Sequence, residues 1–266
     1  MLEDPRRAES GMIGPSVALR AGVALPDWSA IRSAAAFDVV CAILDVFDIT
    51  SRWRDRSVEE DRVHRALLRA WGRHGRAPET AELAADTGMP PDAVRAMLGR
   101  LHERDLVVLN EAGDAIVGAY PFSARETGHG VRVGARWLNA MCAIDALGVG
   151  AMYGADTRIE TRCRACDATI RIETRGGGVR LGAVSPEGAL VWSGVRYEDG
   201  CAATSLCTVI AFFCRADHLA AWREENEPET QGYTLSLDEA LQAGRGLFGP
   251  LLAENRADSR MKGRQQ

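Results

Sequence analysis

A chain of 266 residues with 46% hydrophobic content can bury one large core or two small ones, and it holds no run of the ~18 apolar residues that a membrane-spanning helix needs. The formal net charge of -5 excludes a protein shaped as a whole for polyanions, so nucleic acid is not the expected partner. Residues 1 to about 30 lack the charged-then-apolar pattern of a signal peptide, and seven cysteines read as reduced thiols, ligands or core fillers rather than a disulfide framework. A cytoplasmic protein without membrane attachment is the expectation.

Residues 1–30 are interrupted by Pro5, Pro15 and Pro26 and show no sustained periodicity, which predicts a poorly ordered arm. From Trp28 to Phe47 the residues Ile31, Phe37, Val40, Cys41, Leu44 and Phe47 fall at helical spacing, with Cys41 a core thiol. A second helix opens at Ser57, whose Ser-x-x-Glu pattern to Glu60 is a capping box, and runs through Val63, Leu67, Leu68 and Trp71. Pro78 to Gly88 and Pro90 to Leu101 read as helix, glycine turn and proline-started helix. Leu106–Leu109 and Ala115–Val117 flank the turn residues Asn110 to Asp114 as a two-stranded wing, so residues 31–118 are expected to form a winged-helix-like helical domain. As a DNA reader, such a unit would present Asp92, Arg95 and Arg100; the weak basic balance of residues 78–117 favours a packing module instead.

After Ala119-Tyr-Pro-Phe122 glycine rises, short β-type runs appear, and six of the seven cysteines follow. Trp137 to Met152 reads as a helix on which Cys142 and Asp145 share a face. Arg158–Arg162, Thr169–Thr174, Val179–Val184 and Leu190–Tyr197 read as strands, Gly176-Gly-Gly178 as a turn, and Ser205–Phe213 as a strongly apolar segment carrying Cys207. Further helices are expected around His218–Glu225 and after the Ser236-Leu-Asp-Glu239 cap. The class is α+β: a winged-helix-like helical part, then a mixed sheet flanked by helices over residues 119–255, with 256–266 a tail.

Two soft thiols and one carboxylate, Cys142, Cys207 and Asp145, can grip a thiophilic metal and move a proton. Cys163 and Cys166 form a CxxC, but a zinc ribbon needs a second close pair, and Cys201, Cys207 and Cys214 are spaced too widely for one. A thioredoxin-type motif would open a helix, whereas this pair lies between two strands. Both cysteines are therefore read as structural, as are Cys201 and Cys214. His129, flanked by glycines, reads as a turn residue.

The segments Cys142-Ala-Ile-Asp145 and Ser205-Leu-Cys207, the latter with its apolar run to Phe212-Phe213, are similar to the two signature blocks of the alkylmercury (organomercurial) lyases. The resemblance extends from near Ser57 through Ala119-Tyr-Pro121 and Cys163 to Leu237-Asp-Glu-Ala240, roughly four fifths of the chain. It implies that Cys142, Asp145 and Cys207 are the catalytic set and that Cys163 is a structural cysteine. It also implies an N-terminal winged-helix-like part and a mixed sheet, and a mercuric reductase as the partner receiving Hg(II). The chain departs from the family at Met141, where an aromatic residue is frequent, and at Thr208, where a further cysteine is frequent.

The chemistry follows from the donor types. Two thiolates weaken a mercury–carbon bond, and the departing carbon needs a proton as the bond breaks. Asp145 is the acid placed to deliver it, with its own proton taken from the second cysteine. Burial among Met141, Leu206, Phe212 and Phe213, together with repulsion from nearby thiolates, would raise its pKa. The expected reaction is protonolysis of alkyl- and arylmercury compounds, with hydrocarbon released and Hg(II) left on Cys142, Cys207 and Asp145. No organic cofactor is expected, and excess small thiol is needed to remove the metal. The alternative is a soft-metal-binding winged-helix regulator that reads DNA and leaves the carbon–mercury bond intact.

Overall fold

The computed structural model describes residues 13–226 and 229–254. The chain enters as an antiparallel hairpin of β1 (Val17–Arg20) and β2 (Val23–Leu25), so the second half of the expected arm is ordered. Val17, Leu19 and Leu25 face the core, and the Arg20 guanidinium donates to the carbonyls of Pro250, Leu251 and Ala253 while pairing with Asp61. Two strands of three or four residues are too short for alternation to stand out between prolines, which is why the sequence conceals them. Residues 1–12 of the arm and the 256–266 tail lie outside the described residues.

The helix expected from Trp28 starts later, as α1 (Ala34–Val46), because the Ser33 hydroxyl caps it by accepting the Ala36 N–H at 3.1 Å. The short α2 (Ile49–Trp53) and the long α3 (Val58–His74) follow; the Ser57–Glu60 capping box opens α3 as expected, and Gly75 closes it in the left-handed conformation. Helices α4 (Thr80–Thr87) and α5 (Pro91–Glu103) pack against α3 and each other, and β3 (Val107–Leu109) pairs with β4 (Ile116–Ala119).

The second half comprises β5 (Phe122–Ser123), β6 (Gly130–Val133), β7 (Arg136–Ala140), α6 (Ala143–Tyr153), β8 (Thr157–Arg162), β9 (Thr169–Arg175) and β10 (Arg180–Ser185). These are followed by β11 (Leu190–Gly194), β12 (Ile210–Phe213), α7 (Ala216–Asn226), β13 (Gly232–Ser236) and α8 (Leu237–Leu252). One sheet runs β10-β9-β8-β6-β7-β5-β4-β3, and a smaller one runs β12-β11-β13. The ladder of the larger sheet crosses residues 118–119, where the sequence places a domain boundary, because Ala119 pairs with Phe122.

The α+β class holds, but every described ladder is antiparallel rather than mixed. Parallel neighbours need a long crossover, and the one that α6 supplies, from β7 to β8, has β6 inserted between its two strands. The expected Trp137–Met152 helix is likewise two elements. Trp137 to Ala140 belongs to β7, where Leu138 and Ala140 alternate inward, and α6 begins only after Cys142. Apolar spacing over a strand end and a helix start imitates one long helix.

Helix α8 packs most extensively along α6, and two glycines let their backbones touch. A Cβ at Gly244 would stand 2.7 Å from the Ile144 carbonyl oxygen, and one at Gly148 would stand 2.7 Å from the Gly244 carbonyl oxygen while striking Phe248. Replacing Gly244 by alanine should therefore destabilise the fold by about 1–3 kcal/mol despite alanine's better helix propensity. Urea unfolding of Gly244→Ala checks this; an unchanged or raised midpoint would mean the helices can part without cost.

Candidate active site

Cys142 is the N-cap of α6: its backbone is extended, with φ -147° and ψ -177°, and its Sγ accepts the Asp145 N–H at 3.4 Å. The cap position, not a shared helix face, is what brings thiol and carboxyl together. β7 delivers Cys142 to this point, and the Met141 N–H is fixed to the Pro121 carbonyl at 3.0 Å. A thiol at a helix N-terminus faces unpaired N–H groups and the positive end of the helix dipole, both of which favour its anion.

Cys207 arrives from the opposite side, in a tight helical turn over Leu206–Val209 that precedes β12. Ser205 and Thr208 hold that turn through the Ser205 hydroxyl to the Cys201 carbonyl and the Thr208 hydroxyl to the Ser205 carbonyl, each at 2.6 Å. The Cys207 thiol reaches Asp145 Oδ2 at 3.7 Å, and donor atoms of Cys142, Asp145 and Cys207 all lie within 4.8 Å of one another. All three side chains are buried.

Burial governs the charges. It pushes Asp145 from its ordinary 3.8 up to about 7, against hydrogen bonds from the Cys142 and Cys207 thiols and the Cys142 backbone that favour the anion. Thiolates beside it would raise this pKa by repulsion, as expected from the sequence; the neutral thiols of Cys142 and Cys207 oppose the rise. Cys142 is raised by burial, with the Cys207 hydrogen bond pulling the other way. Cys207 is raised well above its ordinary value by donating to Cys142, then by burial and the Asp145 charge. The resting set therefore makes a thiolate more easily at Cys142 and keeps a proton on Cys207.

An apolar cavity of about 80 Å³ adjoins the trio. Leu206 lines it as expected, but Met141, Phe212 and Phe213 do not; Leu25, Phe47, Trp53, Leu247 and Phe248 take their place. Thus β2, part of the segment expected to be a poorly ordered arm, supplies a wall. Tyr120 also lines the cavity and was missed, as was the buried Asp105 behind it. Asp105 accepts hydrogen bonds from the Tyr120 hydroxyl at 2.9 Å, the Tyr197 hydroxyl at 3.0 Å and the Ala202 N–H at 2.8 Å. The Tyr120 oxygen in turn accepts the Ala203 N–H at 2.8 Å, so this network fixes the chain just ahead of Cys207. Only the pairing of Tyr120 with Pro121 inside a family-like block hinted at it; Asp105 left no local signal.

The other sequence candidates stay out of the cavity. His129 hydrogen-bonds Thr161 at 2.9 Å and is held at about 4 by burial and by Arg164, as a neutral packing residue. Cys41 is half-buried rather than a core thiol.

Asp145 links the site to folding stability. Its folded pKa lies above the unfolded one, so the stability contributed by the protonated carboxyl is complete below about 3.8 and is lost as pH rises through about 7. An asparagine cannot ionise. Between about pH 4 and pH 8 the Asp145→Asn variant should therefore gain on the wild type by on the order of 4 kcal/mol. Urea unfolding of both proteins across that range checks it; a gap that does not change with pH would deny the carboxyl its raised pKa.

Comparison with known proteins converges on one family. The model of the MerB alkylmercury lyase family matches residues 122–249. An alkylmercury lyase of Staphylococcus epidermidis is 28% identical over 166 residues, covering 62% of this chain and 72% of its own length. One from Bacillus cereus is 26% identical over 182 residues, covering 68% of this chain and 78% of its own. Among solved structures, the mercury-bound form of MerB2 superposes with a TM-score of 0.65 at 26% identity, over 79% of this chain and 98% of that one. Residues 122–249 thus match the alkylmercury lyase family model, and the chain as a whole is similar to alkylmercury lyases in both sequence and architecture.

Proposed function

We propose that this protein is an organomercurial lyase that cleaves the carbon–mercury bond by protonolysis, with Cys142, Asp145 and Cys207 as its catalytic residues. The observation that carries the reading is a carboxyl buried between two thiols and held near neutrality beside an apolar cavity. The cavity suits the organic group, and the sulfurs suit the metal.

Cys142 attacks first, because the helix N-terminus and the Asp145 N–H support its thiolate. Its sulfur bonds to mercury and displaces the ligand opposite the organic group, and the thiol proton leaves with that ligand. The Asp145 carboxylate then takes the Cys207 proton across the 3.7 Å contact, and the new thiolate forms the second sulfur–mercury bond. Electron density from two thiolates weakens the mercury–carbon bond. Asp145 returns its proton to carbon, the bonding pair becomes the new C–H bond, and hydrocarbon leaves while Hg(II) stays with the two sulfurs. An acid with a pKa near 7 is suited to both halves of this exchange, since it neither holds the proton too firmly nor loses it to water. Small thiols then remove Hg(II), directly or toward a mercuric reductase.

The comparisons lend no support to the alternative of a metal-responsive regulator. Arg95, a side chain that reading would place on DNA, is already paired with Asp92.

Hydrocarbon release from methyl- or phenylmercury in excess thiol, followed by headspace gas chromatography, is the decisive measurement. The wild type should release methane or benzene, and Cys142→Ser, Cys207→Ser and Asp145→Asn should each slow release by at least about 100-fold. The Asp145→Asn protein should still retain mercury at the two cysteines. Absence of hydrocarbon from the wild type, or full rates in all three variants, would sink the proposal.

A further inference from the structure

Four side chains outside the cavity converge from three segments. Cys163 and Cys166 occupy the turn between β8 and β9, Cys214 directly follows β12, and His218 stands in the first turn of α7. Cys163 Sγ lies 3.8 Å from His218 Nδ1, Cys166 Sγ lies 3.7 Å from Cys214 Sγ, and Cys214 Sγ lies 3.2 Å from His218 Nδ1. All four donor atoms fall within 4.8 Å of one another. Tetrahedral Zn(II), with Zn–S near about 2.3 Å and Zn–N near about 2.0 Å, requires edges of about 3.8 Å between sulfurs and about 3.5 Å between sulfur and nitrogen. The cluster already has nearly those dimensions.

The surrounding backbone is shaped for a bound thiolate. The backbone N–H groups of Cys214, Ala165 and Cys166 lie near the Cys163 sulfur and favour its anion. The turn is closed by Cys163 N–H to the Ala168 carbonyl at 2.8 Å and by Asp167 N–H to the Cys163 carbonyl at 2.9 Å, with Asp167 in the left-handed conformation at φ 57°. Converging N–H groups of this kind stabilise an anion at a turn. Cys163 and Cys214 are buried while Cys166 is exposed, so a metal ion can reach the cluster from solvent.

We propose that Cys163, Cys166, Cys214 and His218 form a structural Zn(II) site. Four protein donors leave no open coordination position, which separates it in kind from the Cys142–Asp145–Cys207 set and from any catalytic use of zinc. The second half of the site is not a close cysteine pair but Cys214-x-x-x-His218, in which histidine stands where a zinc ribbon would carry a cysteine. The ion has a mechanical role. Arg164, inside the CxxC turn, donates from its backbone to the Phe212 carbonyl at 3.0 Å and from its guanidinium to the Thr208 carbonyl at 2.8 Å. Zinc would thus clamp β12 and the turn bearing Cys207 to the large sheet. This inference does not depend on the mercury chemistry.

The test is metal analysis of the full chain, produced in zinc-supplemented, mercury-free medium and purified without chelator. One zinc per chain is expected, and after exchange Co(II) should give the intense visible bands of a tetrahedral thiolate site. Cys166→Ser and His218→Ala should lower zinc occupancy more than about tenfold, whereas Cys142→Ser and Cys207→Ser should leave it unchanged. Stripping with a chelator should lower the melting temperature, and added Zn(II) should restore it. The proposal is overturned by a zinc-free protein without the Co(II) spectrum, or by a Cys166–Cys214 disulfide in non-reducing peptide maps. Zinc lost from the Cys142 or Cys207 variants instead would also overturn it. If the Cys166 and His218 variants fail to fold, the wild-type zinc content and Co(II) spectrum decide the matter alone.

Discussion

The removal of the Asp145 carboxyl from water is the constraint on which the site depends. A carboxylate given only two thiols and a helix N-terminus as neighbours cannot recover what it loses in hydration, so it holds its proton up to about 7. That single displacement is what the proposed chemistry needs of one side chain that must accept a proton from sulfur and deliver it to carbon. Everything that keeps water out serves it: the α6–α8 contact through Gly148 and Gly244, the β2 wall at Leu25, and the Asp105–Tyr120 network that fixes the approach to Cys207. The fold's rigidity is thus spent where a small shift would rehydrate the acid.

The two sulfur clusters divide the labour between them. Cys142 and Cys207 are buried beside an apolar cavity with a carboxyl in reach, an arrangement that leaves room for a substrate. Cys163, Cys166, Cys214 and His218 instead bring four donor atoms within 4.8 Å of one another, the spacing of a closed ion site. Strand β12 joins the two, since Cys207 precedes it and Cys214 follows it. What happens at one end of this short strand is felt at the other.

Much of this was legible in the sequence, and the omissions have physical reasons. The Ser57 and Ser236 caps, the helix pair before residue 104 and the candidate residues Cys142, Asp145 and Cys207 rest on local patterns or signature segments, which a sequence displays directly. The β1–β2 hairpin was hidden because its strands are too short to show a period. The join at Cys142 was misread because strand end and helix start share apolar spacing. Asp105 and the Cys214–His218 half-site depend on partners 97 and 48 or more residues distant, through contacts that no window along the chain can reveal. Cavity walls such as Phe47 and Phe248 look like any core residue until the fold puts them around a space.

Cys142 does two jobs at one position, and they place unequal demands on its identity. As an N-cap it must offer one acceptor to the Asp145 N–H, a task that serine performs at least as well. For the proposed chemistry it must be a sulfur. Stability therefore exerts no pull toward cysteine here, and a lineage no longer exposed to the substrate could exchange the thiol for a hydroxyl in one step without disturbing the helix, the cavity or the fold. The architecture preserves the place for the reaction but not the reaction itself, so a well-folded relative of this chain is no guarantee of an active one.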